Sequence, residues 1–144
     1  MAPRPNTEAH ARAELQQDVR AKGLRATPSR LAVLELLRVS DVPMSHGDVA
    51  DRLSDSSWDR ATIYRNLTDL AEVGLVRRTD IGDHTWRFEA NNGDHDHPHF
   101  VCTECGSVEC LPEIELTVRR AKAPRAVKQR KVEVHVRGLC DTCL

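Results

Sequence analysis

Two cysteine pairs at identical spacing, Cys102-x-x-Cys105 and Cys140-x-x-Cys143, constrain this chain more than any other feature of it. Each short turn can aim two thiolates at one ion, and four soft sulfur donors make the closed tetrahedral cage that Zn2+ takes in structural sites. A cage drawing on both pairs must return the end of the chain to its first cysteine turn, across the 34 residues between Cys105 and Cys140. That interval exceeds what a compact zinc ribbon uses and is compatible with a folded αβ insert. The fifth cysteine, Cys110, makes the count odd, which argues against a disulfide scaffold. We read Cys110 as a strand residue rather than a ligand. Neither pair lies between a strand and a helix, so a thioredoxin-like redox motif is a poor fit. Cytidine-deaminase chemistry is disfavoured as well, because Val101 stands where that motif needs a proline.

A cytoplasmic protein is expected, in a compartment where thiols stay reduced. In keeping with this, the opening MAPRPNTEAHARAELQQ has no apolar run of a secretory signal, and no stretch approaches 18 apolar residues. The expectation is therefore no membrane partner. With 21 basic and 22 acidic residues the formal charge is −1, which excludes an evenly basic nucleic-acid coat but not a local basic patch. Aromatic residues are only 3% of the chain, too few for a stacking platform for single strands.

The first ninety residues read as short helices followed by a hairpin. A helix over Thr7–Lys22 ends at Gly23. Thr27-Pro28 supplies an N-cap and a first-turn proline, ahead of an apolar stripe through Leu31, Val33, Leu34, Leu36 and Leu37. Ser45-His46-Gly47-Asp48 is a capping box for a third helix. Asp59 caps a fourth, in which Ile63, Leu67 and Leu70 point inward and Thr62, Arg65, Asn66 and Asp69 outward. Strands at Leu75–Thr79 and Thr85–Glu89 flank a turn over Asp80–His84 that contains Gly82. That order predicts a winged helix-turn-helix over residues 1–90.

Ala90–Asp94 reads as a hinge into a second domain over residues 91–144. There we expect strands at His99–Val101 and Ser107–Cys110, and a helix across Glu113–Ala121 that Pro124 forbids from extending. A strand over Lys131–Arg137 would present Val132, Val134 and Val136 on one face. The fold class is thus α+β, a winged-helix domain followed by a small αβ dimerisation domain.

Two further clusters carry chemistry. In an extended His95-Asp96-His97-Pro98-His99 segment the three imidazoles share one face. Imidazole and carboxylate suit a second divalent metal, and His46, His84 and Glu89 are the candidates to complete that site. In Asp59–Leu67, the residues Thr62, Arg65 and Asn66 are of the types that read major-groove edges or reach phosphates. Arg25, Arg30, Arg77 and Arg78 could add contacts. Nearby Asp55, Asp59 and Asp69 oppose them electrostatically, so binding must rest on geometry and on a dimer doubling the contacts.

Together these pieces resemble the ferric uptake regulator (Fur) family of metal-responsive repressors. The resemblance is carried by Gly23–Arg30, Ala61–Arg65, Phe88-Glu89, the H-x-H-x-x-C-x-x-C-G run from His97 to Gly106, and the terminal Gly138–Cys143. It implies a homodimer whose metal-loaded form binds a palindromic double-stranded DNA operator. It places Cys102, Cys105, Cys140 and Cys143 on the family's structural zinc site, and Glu89, His97 and His99 on its regulatory site. Tyr64 and Arg65 fall on the recognition helix, and Arg25 on a basic position near the minor groove. The chain departs from the family at Pro43, where a histidine is common, leaving His46 or His84 as substitutes. A further family site would need ligands at Asp96, Pro98, Thr117 and Val132, and we expect it to be absent. With no cysteine expected near the sensory cluster, a thiolate-containing zinc sensor is disfavoured.

The expected function is a metal-dependent transcriptional repressor, not an enzyme, with structural Zn2+ and a second Fe2+, Zn2+ or Mn2+. A peroxide-sensing regulator of the same fold is one rival. The other is a zinc-stapled interaction module that does not bind DNA.

Overall fold

The computed structural model describes residues 5–91, 97–111, 114, 117, 122–129 and 132–144, with the side chains of 5–7 left out. The expected hinge over Ala90–Asp94 falls largely outside the described residues, as do His95, Asp96 and most of the expected Glu113–Ala121 helix. Contacts divide the chain into two units, Met1–Asn92 and Gly93–Leu144. Among the described residues no helix is long and apolar enough to cross a membrane.

In the first unit, α1 (Pro5–Ala21) ends where Gly23 takes φ +81°, with the Gly23 N–H donating to Arg20 O at 2.9 Å and the Leu24 N–H to Val19 O at 3.2 Å. Those two bonds satisfy carbonyls that the last turn would otherwise orphan. Helix α2 (Pro28–Val39) starts at Thr27, whose hydroxyl accepts from the Arg30 N–H at 3.3 Å. Strand β1 (Met44–Ser45) leads into α3 (His46–Arg52), capped reciprocally by Ser45 and Asp48. Helix α4 (Arg60–Glu72) follows, and Gly74 at φ +81° turns the chain into β2 (Val76–Asp80) and β3 (Trp86–Ala90). β3 lies between β1 and β2 in an antiparallel sheet. The two-residue β1 is an addition to the elements expected from sequence.

The core of this unit closes around Leu34, Leu37, Ile63, Leu67, Leu70 and Phe88, each at most 2% exposed. Asn66 belongs to it too. It lies three residues after Ile63 and four before Leu70, hence on the same stripe. It is 4% exposed, and its Nδ2 donates to Ser29 Oγ at 2.9 Å. Its expected outward orientation is therefore wrong: the amide bridges α2 and α4.

In the second unit, β4 (His99–Cys102) is the centre of a three-stranded sheet. β5 (Val108–Cys110) runs antiparallel on one side and β6 (His135–Gly138) parallel on the other. A short helix, α5 (Arg125–Lys128), begins just after Pro124, so that proline opens a turn of helix. The expected strand over Lys131–Arg137 is corrected to β6: among the described residues pairing starts only at His135. Val132 and Val136 are 36% and 38% exposed, so the valine alternation does not mark an inward face.

Candidate functional site

The four paired cysteines converge. One sulfur from each lies within 4.8 Å of all the others, and Cys105 Sγ is 3.7 Å from Cys140 Sγ. Tetrahedral zinc with Zn–S bonds of about 2.3 Å sets sulfurs roughly 3.8 Å apart, so the group has the dimensions of a zinc cage. The fold reaches this locally. Gly106 at φ +73° bends the first knuckle, and its N–H donates to Cys102 O at 3.1 Å. The Thr103 N–H donates to Gly138 O at 2.8 Å, which ties that knuckle to the end of β6. The second knuckle closes through the Cys143 N–H onto Cys140 O at 2.9 Å.

Electrostatics prepares these sulfurs for a cation. Backbone N–H groups of Cys105 and Cys140 pull the Cys102 thiol down to about 6. Hydrogen bonds from Ser107 lower Cys105. Hydrogen bonding to Cys140 and Cys105 raises Cys143, because a thiol proton is worth keeping among neighbouring sulfurs. A bound divalent ion replaces that proton.

A second ligand group lies elsewhere in the same unit. One donor atom from each of His97, His99 and Cys110 falls within 4.8 Å of the others, and the two imidazole centroids are 5.1 Å apart. His99 is buried, whereas His97 and Cys110 are half-buried. Cys110 is a strand residue, as expected, but its place beside the imidazoles corrects the expectation of a sensory cluster with no cysteine near it. The reason is register. Val101 pairs with Val108 across the knuckle, and two steps outward along both strands places Cys110 opposite His99. Treating the knuckle as a hairpin turn finds this pairing from sequence.

The remaining ligand candidates lie in the first unit. Glu89 is on β3, opposite Arg77. His84 sits at φ +60° in the loop at the far end of that hairpin. The three strand steps from Trp86 to Glu89 alone span about 10 Å, so His84 cannot share an ion with Glu89. His46 is also displaced. Met44 and Ser45 pair with Phe88 and Arg87, so continuing that register sets Pro43, not His46, beside Glu89. His46 Nε2 instead donates to Arg60 O at 2.8 Å, and its ring packs edge-on against Tyr64. Among the described residues, neither His46 nor His84 joins a metal-ligand group.

Helix α4 holds Thr62, Tyr64, Arg65 and Asn66 of the residues expected to contact nucleic acid. Tyr64 is 46% exposed, and Arg65 and Arg25 are exposed. Thr62 serves the helix end: its hydroxyl and its N–H, the latter at 2.7 Å, bond Asp59 and hold that carboxyl below the usual carboxylate range. Arg30 is drawn inward, pairing with Asp69 and donating to Arg25 O at 2.8 Å. Arg78 stacks over Trp86 in the hairpin, 4.2 Å from the ring centre.

Comparison with known proteins decides the family. A model of the ferric uptake regulator family matches residues 21–137. The chain belongs to the ferric uptake regulator family. It is 32% identical over 135 residues to a ferric uptake regulation protein of Bordetella parapertussis, covering 89% of this chain and 95% of that one. It is 28% identical over 137 residues to a peroxide-responsive repressor PerR of Staphylococcus aureus, covering 90% and 91%. In structure it resembles the Vibrio cholerae ferric uptake regulator, with TM-score 0.66 at 24% identity over 87% of this chain and 98% of the other. This Fur-family chain therefore has the mixed helix-and-sheet fold of its relatives.

Proposed function

We propose that this Fur-family protein is a cytoplasmic, homodimeric, metal-dependent transcriptional repressor. Zn2+ held by Cys102, Cys105, Cys140 and Cys143 staples its second unit. A second divalent ion, Fe2+, Zn2+ or Mn2+, held by His97 and His99 with Glu89 from the first unit, favours the form that binds a double-stranded operator. The observation that carries this reading is the pairing, in one chain, of an exposed Tyr64–Arg65 helix face before a hairpin with a separate imidazole group beyond the four-cysteine site. Metal held by residues from both units would fix the spacing of two recognition helices, shifting a population rather than creating a new state. Exposed Ile114, Val136 and Leu139 in the second unit supply apolar surface for the dimer.

The test is selection of duplexes from a random pool by metal-stripped and metal-loaded protein, followed by binding measured against salt. Metal-dependent enrichment that His97→Ala abolishes, with the four-cysteine zinc retained, supports the reading. Arg65→Ala should weaken binding even with metal present. No salt-sensitive duplex binding in any metal state would leave only an interaction module. The similarity to a peroxide-responsive repressor favours one second reading: iron-loaded protein exposed to peroxide would gain one oxygen atom on His97 or His99.

A further inference from the structure

We propose that Cys110 is a ligand of the second metal site, making its donor set from the second unit two imidazoles and a thiolate, and that this set selects Zn2+ over Fe2+ and Mn2+. The inference rests on the reading that His97 and His99 bind a regulatory metal. What it adds is the identity of a third donor and, through it, the class of ion.

Geometry carries the assignment. Residues directly opposite in an antiparallel pair project to the same face, and Cys110 is directly opposite His99. His97, two residues before His99 in an extended segment, faces the same way, and donor atoms of all three lie within 4.8 Å. Across the other edge of β4, His135 is opposite His99, with ring centroids 6.2 Å apart. A row of Cys110, His99 and His135 therefore crosses the sheet at one level. The cage of Cys102, Cys105, Cys140 and Cys143 is already complete without Cys110, so this fifth sulfur is not a spare member of that set.

The chemistry follows from softness. A thiolate suits Zn2+ and its tetrahedral stand-in Co2+, while Mn2+ and Fe2+ favour nitrogen and oxygen donors, and the affinity order across divalent metals also runs from Mn2+ and Fe2+ up to Zn2+. One thiolate on a divalent ion leaves a single positive charge, which the Glu89 carboxylate of the proposed site would neutralise.

The experiment uses the full chain with zinc in its four-cysteine site, to which Co2+ is added. One further equivalent should bind with a sulfur-to-cobalt charge-transfer band in the near ultraviolet. The band should vanish in Cys110→Ser and in Cys110→Asp, while Cys110→Asp still binds the ion by equilibrium dialysis. Zn2+ affinity should fall at least roughly tenfold in Cys110→Ser, with Mn2+ affinity unchanged. Circular dichroism and retained four-cysteine zinc verify that each variant is folded. A second Co2+ bound without the band, but lost in His97→Ala, overturns the role of Cys110 and leaves the regulatory site standing. A band that survives Cys110→Ser comes from the sulfurs of the paired cysteines and also overturns it. No second Co2+ at all removes the regulatory reading and this proposal together.

Discussion

Asn66→Ala separates a structural role from a DNA-reading one. The substitution removes the 2.9 Å hydrogen bond from Asn66 Nδ2 to Ser29 Oγ at a position 4% exposed. A made hydrogen bond is worth a net of about 1 kcal/mol, but removing one partner and leaving the other buried and unsatisfied costs about 1–3 kcal/mol. Ser29 keeps one long contact, to Thr27 Oγ1 at 3.4 Å, so the total belongs near the lower end, about 1–2 kcal/mol. For a unit of this size each kcal/mol lowers Tm by roughly 4–8 °C. Scanning calorimetry on the full chain should therefore show the first unit melting roughly 4–16 °C lower. A Ser29→Ala/Asn66→Ala cycle should return a coupling of at least about 0.5 kcal/mol. DNA affinity, measured well below both transitions, should be unchanged. An unshifted Tm together with weakened DNA binding would refute the argument and return Asn66 to the surface. The pair matters for function because it fixes the rotation of α4 about its axis, and so keeps Tyr64 and Arg65 outward.

Three further outcomes follow. Leu34→Ala, at a side chain with no exposure, should cost about 2–5 kcal/mol in denaturant unfolding, and a loss below about 1 kcal/mol would mean the α2 core packs differently. Gly74→Ala meets no described atom within 4 Å of its new Cβ, so its cost should come from its positive φ alone, about 1–2 kcal/mol before a smaller gain from the stiffer unfolded chain. Chelation strong enough to strip the zinc proposed for the four cysteines should raise hydrogen exchange at β4 and β6 while α2 and α4 stay protected, and equal loss of protection in both units would contradict an independent first core.

What is legible in the sequence is local. Thr27, Ser45 and Asp59 act as caps because their oxygens reach N–H groups three residues on, and Gly23 and Gly74 end helices because they accept positive φ. The four-cysteine group is legible because each pair's spacing prearranges two donors. What escapes a reading along the chain depends on pairing between distant segments. Strand β1 has two residues and exists only through β3. The choice between His46 and His84 turns on register, which puts Pro43 beside Glu89 and His84 at the hairpin tip. Polarity alone sends Asn66 outward, when its place on the Ile63–Leu70 stripe is what decides. Cys110 looks like a bystander because its neighbours in sequence are not its neighbours in the sheet.

The two units solve stability by different means. In the first, a contiguous apolar cluster runs through α1, α2, α3, α4 and the sheet. In the second, the buried apolar residues among those described are Pro98, Val101 and Cys102, beside a buried His99. Chains this short bury too small a fraction of their surface to stand on a core of that kind. Ions and a second copy are the available remedies, and the sequence is arranged for both. A metal across Cys102, Cys105, Cys140 and Cys143, as proposed, would close the sheet where β4 and β6 end together, and its binding energy would be folding energy. Val136 and Leu139, 38% and 42% exposed, leave apolar surface on the same strand and just past it. In the proposed dimer a regulatory ion at His97 and His99 would act on a unit whose described residues bury few apolar side chains. If that core is all the unit has, an ordering ligand there would need only a modest binding energy to bias the conformation of the proposed pair of recognition helices.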